Sequence, residues 1–256
     1  MIAVLAAEES PTTDDAGSYW RQSRRPVASL LFILPLLIVY EGGTLWLGHE
    51  AIRNGADLWM QRLLGVLGFG GTLLLPLLTV AILLAWHHLS QQRWRFSASV
   101  LYAMAAESAV LALLLLLFAQ LQARLLSIVG AEVPCALSGD GGVGVGRFAG
   151  ELVRYLGAGI YEELLFRLML LPAVIFLAKF LGMSWRMQVL FGVLATSLLF
   201  SSAHYVGPYG EAFVLYTFVF RFAAGCFFAV LFVYRGFGIA AGTHALYDVF
   251  ICLPSL

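Results

Sequence analysis

Long apolar runs separated by short polar stretches recur along the chain, and they decide what it can fold into. The first run, about Val27–Leu47, is long enough for a helix to cross a hydrocarbon core of ~30 Å. Further runs cover about Leu63–Trp86, Ser97–Leu121, Met187–His204, Ala212–Tyr234 and Phe237–Leu253, and another helix begins near Phe148 and is expected to end or bend near Pro172. The sequence therefore predicts an all-α polytopic membrane protein, a bundle of about seven transmembrane helices.

Composition supports this fold class and excludes one class of partner. The chain has 256 residues, of which 61% are hydrophobic and 12% charged, against roughly 25% charged in soluble domains. Its 15 basic and 15 acidic residues give no net charge, so no basic field is present to attract nucleic acid. The predicted surroundings are the lipid bilayer, and the predicted location is the cytoplasmic (inner) membrane of a bacterium, crossed several times.

The polar stretches divide the chain into three regions. Residues 1–25 form a polar tail that ends on Arg21, Arg24 and Arg25, which places it in the cytoplasm by the positive-inside rule. Residues 26–147 form an amino-terminal region of three spans that closes with an extracytoplasmic loop at 122–147. The glycines at 141–146 in that loop indicate flexibility rather than a phosphate-binding turn, because no strand precedes them. Residues 148–256 form a second membrane region.

Several polar residues of the amino-terminal region are assigned to structure. Glu41 is expected to be an interfacial or a helix-packing residue rather than a catalyst, and the stretch Ala51–Arg62 to form an interfacial amphipathic turn without chemistry. Glu107 lies in the middle of the third span and is expected either to pair with an intramembrane arginine such as Arg221 or to be protonated. His87 and His88 are expected to be solvated.

Three apolar runs of the carboxyl half carry polar chemistry at a spacing of four residues. Buried charges in a membrane are costly and are usually retained for a function. Residues i and i+4 share one face of a helix, so each pair can point at the same place. We therefore expect three helices to turn one polar site inward, built from Glu162-Glu163-x-x-x-Arg167, Phe200-x-x-x-His204 and His244-x-x-x-Asp248.

The two adjacent carboxylates are expected to differ in function. Glu163 and Arg167 can form an ion pair, whereas Glu162 lies about 100° further around the helix and remains free to act as a general base on water. His204 can orient that water, and His244 with Asp248 can surround the oxyanion that forms when water attacks an amide. This set suits hydrolysis of a peptide bond. No cofactor is expected, with zinc as the alternative, although no H-E-x-x-H motif is present.

The three motifs match, in order, the E-E-x-x-x-R, F-x-x-x-H and H-x-x-x-N/D motifs of the CPBP family, which contains the CAAX proteases and the bacteriocin-processing (Abi) enzymes. The resemblance covers about Glu151–Ile251. It implies a membrane-embedded glutamic-type endoprotease with Glu162 as the base beside His204, an oxyanion site at His244 and Asp248, and support from Glu163, Arg167 and Phe200. It thus makes residues 148–256 the catalytic region, acting on a membrane-anchored protein or peptide.

Two observations leave the identity of the substrate undecided at the level of sequence. Prenyl-processing members carry Asn where this chain has Asp248, so a strict CAAX substrate does not follow. The same residues would also serve a protease that releases a C-terminal sorting segment, or a non-enzymatic carrier or immunity scaffold. Depth is a further problem, because ~1.5 Å per residue puts His204 ~25 Å from Met187, well away from the depth expected for Glu162 if its helix ends at Pro172.

Overall fold

The computed structural model describes residues 15–48, 53–94, 97–128, 145–207 and 210–252, and every regular element in these ranges is helical. Ten α-helices follow one another, and two π-helical segments, Ala158–Glu162 and Leu164–Leu170, lie between the sixth and the seventh. The α-helices are α1 (Asp15–Ser23), α2 (Pro26–Leu47), α3 (Gly55–Val66), α4 (Leu74–Leu89), α5 (Ala98–Ile128), α6 (Val145–Gly157), α7 (Leu171–Phe180), α8 (Trp185–Ala203), α9 (Leu215–Arg235) and α10 (Phe237–Cys252).

Membrane-crossing length is found in several of these helices. Among the described residues, α2, α5, α8 and α9 are long and apolar enough to span a bilayer, and Leu74–Leu89 and Phe237–Ile251 are shorter apolar helices. Many of their large apolar side chains point outward, as expected of helices that face lipid. The predicted all-α polytopic fold is confirmed.

Two predicted boundaries in the amino-terminal region were wrong. The second span does not begin at Leu63, because Gly68 adopts a positive φ of 85° that ends α3 and lets α4 start only at Leu74. The third span continues to Ile128, and α6 already begins at Val145, so the predicted loop 122–147 is shorter at both ends. Residues 129–144 lie outside the described residues, and on which side of the membrane they lie stays a prediction.

The predicted polar tail contains a docked helix. Tyr19 of α1 donates a hydrogen bond of 2.5 Å to Glu107 of α5, and the guanidinium of Arg235 lies 3.7 Å from the centre of the Trp20 ring. Aromatic and cationic side chains thus hold the second half of the tail against the end of the bundle. Residues 1–14 lie outside the described residues.

Glu107 has an arginine partner, but the predicted partner was wrong. Arg235 donates from both Nε and Nη2 to the Glu107 carboxylate at 2.5 Å, whereas Arg221 is paired with Glu211 at 2.7 Å. Arg235 ends α9 and Arg221 lies about 20 Å further back along that helix, so only one of them reaches the level of Glu107.

The two adjacent histidines differ in solvent exposure. His88 is exposed, as predicted, but His87 is fully buried and packs edge-on against Trp94 with ring centroids 4.4 Å apart. Neighbouring residues on a helix diverge by about 100°, so one can face the bundle while the next faces outward. The prediction that His87 is solvated was wrong.

Residues 145–180 form one continuous helix, here called the motif helix, which includes α6, both π-helical segments and α7. The helix does not end near Pro172, which was one of the two outcomes predicted there, because α7 continues directly from the π-helical segment Leu164–Leu170. The motif helix runs on to Phe180, and α8 returns antiparallel after a short turn. Glu162 and His204 each lie about 27 Å from that turn, which removes the conflict in depth.

Close approach between the motif helix and α10 brings the two halves of the site together. A Cβ atom added at Gly159 would lie only 2.6 Å from the backbone nitrogen of Ala245 and 2.8 Å from the carbonyl oxygen of Ala241. Real side chains do not pack this tightly against backbone. Glycine at position 159 therefore sets the distance between Glu162 and His244.

Gly159→Ala is expected to lower the midpoint of thermal unfolding in detergent, because overpacking against backbone costs about 1–3 kcal/mol. Gly150→Ala is the matched control, since it lies in the same helix and an added Cβ there meets nothing within 4 Å. The control is expected to be unchanged or slightly stabilised, by about 0.5–1 kcal/mol. Equal midpoints for the two variants would show that α10 is not held by this contact.

Candidate active site

A cavity of about 1220 Å³ lies beside the motif helix, at the end of α8. Its walls come from the motif helix and from α3, α5, α9 and α10, and the four predicted site residues all line it: Glu162, His204, His244 and Asp248. Aromatic side chains surround them, among them Phe200, Phe228 and Tyr247. The structure thus brings together residues from three separate motifs, while their catalytic roles stay predictions.

Glu162 occupies the centre of this arrangement. Its Oε1 accepts a hydrogen bond of 2.8 Å from Nδ2 of Asn54, and its Oε2 lies 3.9 Å from Nε2 of His204 and 3.9 Å from Nε2 of His244. Both distances are too long for a direct hydrogen bond but suit a single bridging water. Among the described residues Oε2 has no hydrogen-bond partner. One oxygen is fixed, and the other faces both imidazoles.

His204 is oriented by the residue one helical turn before it. Its Nδ1 lies 2.9 Å from the carbonyl oxygen of Phe200. A carbonyl only accepts hydrogen bonds, so Nδ1 carries the proton and, in the neutral ring, Nε2 presents a lone pair toward Glu162. The F-x-x-x-H spacing therefore has a physical basis, since position i−4 supplies the carbonyl that selects the tautomer.

Glu163 forms the predicted ion pair with Arg167, with 3.2 Å between Oε1 and Nη1, and both side chains are buried. The same Oε1 also accepts a hydrogen bond of 2.8 Å from Nδ1 of His244, which the sequence did not indicate. Arg167 lies 4.3 Å from the centre of the Phe200 ring. Arg167 thus contacts Phe200 of the second motif, and its partner Glu163 bonds His244 of the third. The three motifs are joined around one buried guanidinium.

His244 lies between carboxylates on two helices. While Nδ1 donates to Glu163, its Nε2 lies 3.6 Å from Oδ2 of Asp248, one turn further along α10. The ring stacks on Phe228 at 4.5 Å with an interplanar angle of 14°. Packing and a carboxylate on one side therefore hold Nε2 pointing into the cavity between Glu162 and Asp248.

A second polar cluster lies behind Glu162, and sequence reasoning missed its connection to the site. Tyr161 donates to Glu41 at 2.5 Å, and Arg53 bonds Asp57 at 2.7 Å and Glu41 at 3.3 Å. The prediction that Glu41 is a packing residue is consistent with this. The prediction that Ala51–Arg62 carries no chemistry missed Asn54, whose only sequence signal was that of a helix N-cap.

Metal binding remains the alternative to a site without a cofactor. Glu162, His204 and His244 carry the donor atoms that zinc prefers. No group of three or more His, Cys, Asp or Glu side chains in the described ranges has a geometry suited to a metal ion. These side chains are thus suitable for zinc in type, but the described residues do not bring them to a spacing suited to a metal ion.

Residues 147–250 match the family model described as type II CAAX prenyl endopeptidase Rce1-like. The match is confined to this region, which is less than half of the chain. All three motifs lie inside the matched range, whereas Asn54 and the cluster around Glu41 lie outside it. No curated protein and no solved structure matches the chain. The predicted resemblance is confirmed, and with it the coarse function: a multi-pass membrane protein that carries an intramembrane endopeptidase domain of the Rce1-like type.

Proposed function

We propose that this Rce1-like protein is a glutamic-type endoprotease that hydrolyses a peptide bond of a membrane-anchored protein or peptide without a metal. The observation that carries the proposal is the position of Glu162 Oε2, buried in the cavity and 3.9 Å from Nε2 of both histidines. A water in this place contacts a base and an imidazole acceptor together. That is the arrangement required to activate water for attack on an amide.

In the proposed reaction, Glu162 takes one proton from the water while His204 Nε2 holds the other, and the water oxygen forms a bond to the amide carbon. The carbonyl oxygen becomes an oxyanion, which accepts a hydrogen bond from Nε2–H of a protonated His244. The C–N bond then breaks, and Glu162 passes its proton to the leaving nitrogen. The carboxylic acid so formed gives the remaining water proton to Nε2 of His204, so the products are a carboxylate and an amine.

Asp248 has a defined function in this scheme. An ionised Asp facing the oxyanion would repel it, but Oδ2 lies 3.6 Å from Nε2 of His244. With Glu163 on Nδ1, two carboxylates flank the ring and favour its protonated form, which is the form able to donate from Nε2. Asp248 thus supports the oxyanion donor rather than serving as a donor itself. This is why we prefer a general membrane-peptide endoprotease to a strict CAAX enzyme.

The distribution of basic residues between the two ends of the bundle supports a proposal for the side of the membrane on which the reaction takes place. Arg235 contacts α1, so α1 lies at the same end as the turn between α7 and α8, opposite His204. The end with the turn carries Arg21, Arg24, Arg25, Arg93, Lys179, Arg186 and Arg235. The end with the cavity carries Arg147 and, in the cavity wall itself, Arg53, Arg62, Arg124, Arg154 and Arg221. By the positive-inside rule we propose that the site lies in the outer half of a bacterial cytoplasmic membrane. This favours release of an extracytoplasmic C-terminal sorting segment as the specific reaction.

Purified protein in detergent, given peptides that carry a membrane anchor, is expected to hydrolyse an amide bond near the anchor, with products identified by mass spectrometry. We expect the rate to be unchanged after EDTA treatment, since no step uses a metal. Loss of activity with EDTA and its return with zinc would replace the glutamic mechanism with a metal-dependent one. Intact peptides under all conditions would favour the non-enzymatic scaffold.

A further inference from the structure

Asn54 donates a hydrogen bond to Glu162, which lies 108 positions later in the sequence. Among the described residues, it is the only one from outside the Rce1-like region that does so. Its side chain makes two contacts. Oδ1 accepts a hydrogen bond of 2.8 Å from the backbone N–H of Ala56, which caps α3, and Nδ2 donates to Glu162 Oε1 at 2.8 Å. The residue is 8% exposed, so neither contact is easily replaced by water.

These two partners fix which way the amide points. A backbone N–H can only donate and a carboxylate can only accept, so the oxygen must face Ala56 and the NH₂ group must face Glu162. The backbone is held as well, since N–H of Asn54 donates to Tyr40 at 3.3 Å and Tyr40 in turn donates to Asp57 at 2.6 Å. The donor aimed at Glu162 therefore belongs to a rigid, buried corner of the fold.

We infer that Asn54 is a positioning residue for the hydrolysis, which binds Oε1 of Glu162 and thereby turns Oε2 toward the two histidines. The inference rests on the proposed function. A carboxylate without this bond can rotate about its terminal torsion, which is broad and has no strong preference. Hydrogen bonds to a charged acceptor are also about twice as strong as neutral ones, so Asn54 favours the ionised form that the base requires.

Other charged groups face Glu162 and stay constant in the test. His204 approaches from the end of α8, and His244 and Asp248 from α10. Glu163 and Arg167 lie on the motif helix itself, and Arg53 and Asp57 lie on the α3 side beside Asn54. A change at position 54 alters only the contact with Oε1, provided that α3 keeps its cap.

Serine and aspartate are the informative replacements, because both are good N-caps and neither has the amide donor. Asn54→Ser is expected to lower kcat roughly 10- to 100-fold, the loss typical of a hydrogen bond to a charged group. Asn54→Asp places a second carboxylate against Glu162, so we expect a larger loss at pH 7 that is partly recovered at higher pH. Gln61→Ala is the matched control, since it removes a hydrogen bond of 2.6 Å to Asp57 within α3 and does not touch Glu162.

Labelling of Glu162 by a hydrophobic carbodiimide, which reacts with protonated carboxyl groups, gives a readout independent of proteolysis. Quantified by mass spectrometry across pH, labelling is expected to extend to higher pH in Asn54→Ser and further in Asn54→Asp, but not in Gln61→Ala. A labelling profile that matches wild type in both Asn54 variants, with thermal unfolding also unchanged, would overturn the positioning function. A shifted profile in a protein that cleaves nothing would support the positioning of Glu162 and reject the protease proposal alone.

Discussion

Glu162→Gln is expected to abolish cleavage while the protein stays folded. Glutamine has nearly the same shape and can still accept the 2.8 Å hydrogen bond from Asn54, but it cannot take a proton from water. Loss of a general base typically lowers kcat by 10²- to 10⁴-fold, and here the same group also returns the proton to the leaving nitrogen. We therefore expect the upper end of that range, with an unfolding midpoint close to that of wild type.

Glu151→Gln is the matched control for this change. Glu151 lies on the same motif helix and pairs with Arg154 at 2.6 Å, but its side chain is 32% exposed and it does not line the cavity. Its removal is expected to leave the rate unchanged.

Comparison of membrane proteomes from cells with wild type or Glu162→Gln should then reveal a protein whose new terminus lies near the outer face of the membrane. Cleavage by purified Glu162→Gln at the wild-type rate would remove Glu162 from the mechanism.

The convergence of the three motifs could be predicted because charged side chains in a membrane have few stable arrangements. Charged groups within apolar helices must find one another, and a four-residue spacing puts each pair on one helix face. The same reasoning gave the ion pair between Glu163 and Arg167, and the apolar runs gave the approximate position of most helices. Local rules were sufficient where the partners lie in one helix or where only one polar site is available.

Contacts between distant segments could not be predicted in this way. Nothing in the sequence near Asn54 indicates Glu162, because the contact depends on how the start of α3 packs against the motif helix. The sequence predicted the wrong arginine partner for Glu107 for a similar reason. Both Arg221 and Arg235 lie in α9, and only the packing of α9 on α5 selects between them. The π-helical segments, whose i→i+5 bonding often marks functional sites, left no sequence signal that we could use.

Glu163→Gln is expected to impair folding far more than Glu162→Gln. Glu163 is fully buried, and its carboxylate neutralises Arg167, of which only 1% is exposed. Removing one partner of a buried ion pair leaves an uncompensated charge and typically costs 3–5 kcal/mol. We expect a lower yield of monodisperse protein and a lower unfolding midpoint in detergent. The matched control is Glu211→Gln. It breaks a shorter pair, 2.7 Å from Arg221, at a side chain that is 55% exposed, and is expected to cost less than about 1 kcal/mol.

A second variant separates folding from chemistry at the same residue. In Glu163→Gln/Arg167→Met the buried cation is removed together with its partner, and such apolar replacements are often neutral for stability. We expect the unfolding midpoint to recover toward wild type. Activity is expected to stay low, because His244 Nδ1 then lacks the carboxylate that it bonds at 2.8 Å and the ring is less readily protonated. If both properties recovered together, Glu163 would act only as the counter-ion of Arg167; if neither did, the cost of Glu163→Gln would not come from an unpaired charge.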